Sequence, residues 1–299
     1  MTDARRVGVV GLGNIGGALA TNLAADGHHT TVTDLDPERA AAIVGAHVVA
    51  SVAELAAAAH ITFTSLPTPD VVAEVARAWA SAAAPGSILV DCSTTSPAVN
   101  QQLAEELAVS GHHFVEAPLT GGAIGARGRT LVFLVGGDHE PVAQVRPLLD
   151  QLGRATFHLG PVGTGTTMKL VNSLLAFTST WASLEALSLA AAAGIDLRDA
   201  VQAVRTGGAS NFYIDRGVEG LGVRDRPVQF SLDLAAKDAG LLQDLAAAHD
   251  VPAPIVDALA EVLTDAVARG LGGHDWGDLV LAAEARSGQP LVLGPESAP

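Results

Sequence analysis

A strand-like run, RVGVV, breaks into Gly11-Leu12-Gly13-Asn14-Ile15-Gly16, and a helical run follows as far as Gly27. Strand, tight turn and helix is the fold this spacing favours. Gly11 permits the turn, Gly13 lets backbone approach a diphosphate, and Gly16 lets helix and strand pack closely. Alone the spacing is a weak signal, and its context strengthens it. A second run, TTVTD, ends on Asp34, and β-rich runs keep alternating with helical stretches through VVAS, ITFTSLP, SILVDCS, HFVEAP, LVFLVGG and ATFHLG. That rhythm predicts βα units on a mostly parallel sheet. The diphosphate then rests on the N-terminus of the first helix.

Asp34, at the end of the second run, is placed to accept hydrogen bonds from both hydroxyls of an adenosine ribose. A carboxylate there repels a 2′-phosphate, and Leu35 beside it brings no cation. NAD is therefore favoured over NADP. Gly11, Leu12, Gly13, Asn14, Ile15, Gly16 and Asp34 form the expected cofactor set, joined by Leu66 and Pro67 at the end of ITFTSLP. The competing reading is a glycine turn with a solvated strand-end aspartate. Asp36 fits an Asp-Pro helix start better than a second ribose ligand.

Helix starts are punctuated at Asp36-Pro37, Thr68-Pro69 and Ser96-Pro97, where a capping side chain precedes proline at the first helical position. Stops fall at Gly27, Gly111 and Gly153. Beyond Gly160 strand signals fade. Residues 164–193 read as one helix, about 45 Å long at 1.5 Å per residue, closed by Gly194, and three or more helices follow through Gly288. The expected architecture is an α/β Rossmann-like N-terminal domain with a mostly parallel sheet, 1–163, and an all-α C-terminal domain, 164–299, joined by a long interdomain helix. The tail, 289–299, holds three prolines and reads as frayed.

Gly165, Lys169 and Asn172 occupy i, i+4 and i+7, one face of that helix. Gly165 would leave room for a ligand, while Lys169 and Asn172 present a proton carrier and an amide to one point. Transfer of a hydride from an alcohol leaves a proton to be shuttled. A helix lysine is ordinarily a solvated charge. Here it sits among Met168, Leu170, Val171, Leu174 and Leu175, which suits a cleft instead. Burial and a second cation, for which Lys237 is the candidate, would lower its pKa toward neutrality.

At this point the chain resembles the β-hydroxyacid dehydrogenases, relatives of 6-phosphogluconate dehydrogenase, over nearly its whole length. Five motifs carry the resemblance in order: GLGNIGGALATNLAADGHHTTVTD, DCSTTSP, EAPLTGGAIGARGRTLVFLVGG, GTGTTMKLVN and FSLDLAAKDAGLL. It implies an NAD-dependent oxidoreductase that interconverts a small β-hydroxy acid and its semialdehyde. Lys169 is then the general acid/base and Asn172 orients the substrate. Thr120, Gly121 and Gly122 hold its carboxylate, for which successive glycine amides form a suitable nest. Ser93 and Thr94 lie near nicotinamide and substrate, and Lys237 and Asp238 complete the site from the helical domain. Thr120 stands where serine is common, Ile15 where methionine is, Ser173 where many members carry a second amide, and Trp276 where a small residue is usual. Arg127 and Arg129 are read as solvated, or as contacts for a distal anion. The alternatives are an imine reductase on the same fold, against which Lys169 argues, and a non-catalytic dinucleotide-binding protein. Full 6-phosphogluconate dehydrogenase activity would need a larger helical domain.

The remaining composition narrows partners. A net charge of -15, from 17 basic and 32 acidic residues, argues against nucleic acid, which needs clustered Lys and Arg. Cys92 is the single cysteine, so no internal disulfide forms and a reducing, cytoplasmic setting is expected. No cleaved leader is read before the first strand. The apolar segment 174–194 is long enough to span a bilayer but carries Glu185 and several Ser and Thr. It reads as a buried helix of a soluble protein with no membrane partner. The pairs His28/His29 and His112/His113 lack metal-ligand spacing and read as solvated loop or strand-entry residues, with no metal expected. The small carboxylate substrate is the one ligand besides NAD. A homodimer or homotetramer is expected because the long apolar helix, with Trp181, offers more face than one small domain hides.

Overall fold

The structure is a computed structural model that describes residues 4–223 and 226–293. Among the described residues nine strands form one sheet: β1 Arg6–Val10, β2 His29–Thr33, β3 His47–Val48, β4 Ile61–Thr64, β5 Ile88–Asp91, β6 His113–Glu116, β7 Leu119–Thr120, β8 Leu131–Gly136 and β9 Gly153–Gly160. Their order is β3-β2-β1-β4-β5-β6-β8-β7, with β9 also paired to β8. The first six strands in sequence run parallel, and β8 is antiparallel to β6 and β7. The sheet is mostly parallel, as the alternating pattern predicts.

Helices alternate with these strands: α1 Gly16–Ala25, α2 Pro37–Ala41, α3 Val52–Ala58, α4 Pro69–Ala80, α5 Pro97–Val109, α6 Gly122–Arg127 and α7 His139–Leu152. Then come α8 Thr164–Ala192, α9 Leu197–Thr206, α10 Leu232–Ala248, α11 Pro254–Ala266 and α12 Leu279–Ser287. The chain divides into two compact units, Met1–Leu170 and Val171–Pro299. The division falls inside α8.

In the first unit, strands β4 and β5 are buried along their whole length, as parallel strands covered on both faces must be. Ile88 and Val90 point into one core with Val7, Val9, Leu19 and Phe133. Leu89 points into the other with Trp79, Leu103 and Phe114. The largest fully buried side chain, Trp79, donates Nε1–H to Thr62 Oγ1 at 2.9 Å, so the indole leaves no orphaned donor. The second unit packs its own core around Phe177, Leu184, Leu232, Leu259, Leu263 and Leu279.

Local signals mostly hold. Asp36 and Thr68 cap α2 and α4 through their side chains, and Gly27 and Gly111 adopt φ of 84° and 75°. Ser96 precedes α5 but makes no side-chain cap bond. Gly153 ends α7 in an extended conformation and begins β9, and a side chain there would strike the Leu131 carbonyl. His29 and His113 enter strands as expected, but their neighbours are buried. His28 lies between the Arg5 amide and Gln151, and His112 stands edge-on to Trp79 at 5.2 Å. Sequence adjacency hides this because successive residues face opposite ways. Among the described residues no cluster suited to a metal occurs.

Of the expected frayed tail, 294–299 lies outside the described residues. Leu291 within it is fully buried and its amide donates to Glu284 Oε1 at 2.8 Å, so that part is docked. Helix α8 is long and apolar enough to cross a membrane by length and composition, yet only 33% of its most apolar window is buried. Leu175 and Leu189 are 66% and 73% exposed. Burial of this helix is less complete than its composition suggests, since one small core covers only part of its circumference.

Candidate active site

Strands β1, β4 and β5 end together, and the chain order reverses between β1 and β4. Ligands of open α/β sheets bind at such a switch point, beyond the carboxyl ends of the strands. The glycine turn occupies this place. A side chain at Gly11 would strike the Ser65 carbonyl in the loop after β4, and one at Gly16 would strike the Gly11 carbonyl. Both glycines are required by packing. A Cβ on Gly13 would meet no protein atom within 4 Å, so the protein's own packing does not require glycine there. Asn14 is exposed and Ile15 half-buried, packed against the core. The residues therefore fit a diphosphate group.

Asp34 stands just past β2. Its Oδ2 accepts the Leu12 amide at 2.5 Å and its Oδ1 the Asp36 amide at 2.8 Å. Leu35 beside it is wholly exposed, and the nearby Arg39 guanidinium lies 3.3 Å from the Asp36 carboxylate. Asp36 spends its side chain on the Glu38 amide, the capping role expected of it.

Next along the sheet edge, Leu66 is half-buried and Pro67 exposed. The Leu66 amide donates to Ser93 Oγ at 2.9 Å, and Ser93 Oγ donates to Asp91 Oδ1 at 2.6 Å. Thr64 Oγ1 reaches the same carboxylate oxygen at 2.7 Å. Ser93 is 4% exposed, so its hydroxyl ties two loops together and is turned inward. Thr94, half-buried, follows it. Burial pushes the Asp91 carboxyl above the usual carboxylate range, against the pull of hydrogen bonds from Ser93 and Thr64. Burial likewise pushes the Cys92 thiol well up, leaving it an unreactive core residue.

Thr120 ends β7, and Gly121 and Gly122 follow with φ of +119° and +61°, conformations that favour glycine. Both are exposed. Arg127 is exposed as well, but Arg129 is not a free distal cation. It pairs with Asp26 at 2.6 Å and donates to the Asn22 carbonyl at the end of α1.

Lys169 is half-buried on α8. Gly165 does not leave open room as its spacing suggested. It is buried, and a side chain there would strike the Leu134 carbonyl; the missing side chain admits β8 instead. Glu116, fully buried at the end of β6, accepts the Gly165 amide at 2.7 Å. Its motif was visible in the sequence, but no local pattern assigned it a role.

Asn172 is half-buried on the same helix, and Ser173 is 1% exposed with no hydrogen-bond partner for its hydroxyl among the described residues. In the second unit, Lys237 and Asp238 lie on α10, with Nζ 3.0 Å from Asp238 Oδ1 and Asp238 almost fully buried. Trp276 packs on Phe177 with ring centroids 4.6 Å apart, and Phe177 stacks on Phe230 at 6.0 Å. The large side chain at 276 thus belongs to an aromatic cluster of this unit.

Comparison with known proteins agrees with this geometry. The family described as the NAD binding domain of 6-phosphogluconate dehydrogenase matches residues 6–160. The one described as NAD-binding of NADP-dependent 3-hydroxyisobutyrate dehydrogenase matches residues 163–282. The 2-(hydroxymethyl)glutarate dehydrogenase of Eubacterium barkeri is 29% identical, over 98% of this chain and 100% of its own. The mitochondrial 3-hydroxyisobutyrate dehydrogenase of Drosophila melanogaster is 31% identical, over 91% and 87%. Among solved structures, the 3-hydroxyisobutyrate dehydrogenase of Mycobacterium tuberculosis with L-serine has a TM-score of 0.85 at 27% identity, covering 93% of this chain and 99% of that one.

Fold, strand-end geometry and matches over both units define an oxidoreductase that uses a nicotinamide dinucleotide. The chain belongs to the β-hydroxyacid dehydrogenase family.

Proposed function

We propose that the protein is an NAD-dependent dehydrogenase interconverting a small β-hydroxy acid and its semialdehyde, with Lys169 as general acid/base. Bound NAD supplies the hydride acceptor. The chain's own residues do the rest. Lys169 Nζ takes the hydroxyl proton as the alcohol is oxidised and returns it in the reverse direction. Asn172 orients the hydroxyl, and Thr120 with the Gly121 and Gly122 amides holds the substrate carboxylate. Ser93, through its backbone, and Thr94 contact substrate, with Thr94, Lys237 and Asp238 also serving the cofactor. Gly11, Leu12, Gly13, Asn14, Ile15, Gly16, Leu66 and Pro67 line its diphosphate and nicotinamide path.

The observation that carries NAD over NADP is the Asp34 carboxylate beside an exposed Leu35. A 2′-phosphate there would meet the Asp34 charge, with the apolar Leu35 beside it. We also assign the protein to a cytoplasmic homodimer or homotetramer, for which the exposed Leu175 and Leu189 of α8 supply apolar surface.

The test is NAD reduction at alkaline pH across 3-hydroxyisobutyrate, glycerate, 3-hydroxypropionate, serine, threonate and 4-hydroxybutyrate, with Lys169→Ala beside the wild type. We expect turnover of at least one of these acids. The variant should bind NAD within about twofold of wild type and lose kcat by roughly 10²–10⁴-fold, the span of general acid/base catalysis. Undiminished turnover by Lys169→Ala would remove the proposed role.

A further inference from the structure

The first four backbone N–H groups of a helix have no partner within it, and a side chain just before the helix usually supplies one. In α8 the partner comes from much further back. Glu116 Oε1 accepts the amides of Gly163 at 2.8 Å, Gly165 at 2.7 Å and Thr166 at 3.3 Å. Its Oε2 accepts Thr166 Oγ1 and Asn100 Nδ2, each at 2.8 Å. Asn100 Nδ2 also donates to Thr166 Oγ1 at 2.8 Å, and Asn100 Oδ1 accepts from Thr95 Oγ1 at 2.8 Å. Thr95, Asn100, Glu116 and Thr166 are all fully buried. Five donors surround one carboxylate, with every contact satisfied.

The wedge fits because side chains are missing on both sides of it. A Cβ on Gly136 of β8 would strike Glu116 Oε1, and one on Gly165 would lie 3.1 Å from the same oxygen. Three segments meet at this carboxylate: the loop carrying Ser93, Thr94 and Thr95, the end of β6, and the first turn of α8. Lys169 follows that turn on the same helix, about 5–6 Å further along the axis at 1.5 Å per residue. The rotation and depth of the first turn therefore determine where the Lys169 amine stands.

We propose that Glu116 is a positioning residue for Lys169, holding the first turn of α8 against the Ser93–Thr94–Thr95 loop through Asn100 and Thr166. The inference rests on Lys169 being the acid/base. A displacement of about 1 Å from the productive geometry costs on the order of 10²-fold in rate, so the fastening affects the chemical step more than cofactor binding.

Glu116→Gln keeps the size of the side chain and turns one acceptor into a donor that faces other donors. Its kcat should fall about tenfold to hundredfold, with Kd for NAD within about twofold and the pH profile of kcat altered. The double variant Asn100→Asp/Glu116→Gln transposes carboxylate and amide and restores the donor and acceptor pattern, so it should recover most of that kcat. Thr166→Val removes one hydroxyl without changing shape. It should lower kcat severalfold at unchanged NAD affinity, and it decides the matter if Glu116→Gln does not fold. Wild-type kcat and pH profile in Glu116→Gln, or in Thr166→Val where the former is unfolded, overturns the inference, as does a loss the double variant leaves unrepaired. If Lys169→Ala is inactive while Glu116→Gln behaves as wild type, only the positioning role fails. If Lys169→Ala remains active, the assignment of Lys169 fails first.

Discussion

The Asp34 carboxylate accepts the amide of Leu12 at 2.5 Å, although 22 residues separate the two. One side chain thus fastens the glycine turn and is also the group proposed to receive the ribose. Asp34→Ala should therefore weaken NAD more than the loss of ribose contacts alone. We expect about 10- to 100-fold, equivalent to about 1–3 kcal/mol for a buried partner left unmet. Titration with NAD and NADP in parallel checks it: the preference between them should narrow as NAD binding falls. An unchanged ratio would count against Asp34 as the discriminating group.

Two glycines of the same turn should behave differently. A methyl at Gly16 would collide with the Gly11 carbonyl, and overpacking of this kind costs about 1–3 kcal/mol. Gly16→Ala should lower Tm by several degrees and abolish NAD binding. Gly13→Ala, where added carbon meets no protein atom within 4 Å, should melt as the wild type does yet bind NAD more weakly. Thermal melts with and without NAD separate the two cases.

Asp91 supplies a pH dependence. Burial raises its carboxyl above the ordinary 3.8, and the nearby Glu116 charge adds to this. Its folded state therefore holds the proton more tightly than the unfolded state, so this group's contribution to stability is full below about pH 4 and declines as pH rises toward the folded value. Asp91→Asn keeps an acceptor for Ser93 and Thr64 without the charge. Its Tm relative to wild type should therefore be higher at pH 8 than at pH 4. A difference that does not grow with pH would contradict the assignment.

Tyr213 is the chain's single tyrosine, so its phenolate can be followed at one wavelength without interference from another. Burial pushes it up to about 12, with Arg226 pulling slightly the other way. The folded state keeps this proton while the unfolded chain loses it near 10. Its stabilising contribution is thus complete below pH 10 and lost as pH rises toward 12. Alkaline titration should show only a small fraction of phenolate at pH 10.5 while circular dichroism remains native. A midpoint near 10 in folded protein would place the ring in water.

Much of the first unit was legible because its signals are local. The glycine turn, the caps by Asp36 and Thr68 and the strand-and-helix rhythm each occupy a few consecutive residues, where backbone sterics and side-chain reach decide the outcome. Asp34 was read from the same turn and strand end, and the resemblance then gave Lys169 its expected acid/base role. Less was legible where one residue serves a distant one. Arg129, by sequence a solvated arginine or a distal-anion contact, pairs with Asp26, and the Ser93 hydroxyl joins Asp91 to the Leu66 amide.

The chain's order of residues alone determined the class of fold and the binding end of the sheet, since periodicity and turn chemistry act within a dozen residues. Tertiary structure alone decided that Glu116 would cap a helix beginning 48 positions later, at Thr164, that Gly165 would admit a strand, and that His28 and His112 would be buried. Those outcomes depend on which surfaces meet once the sheet has closed around its cores, and no short window of sequence holds both partners.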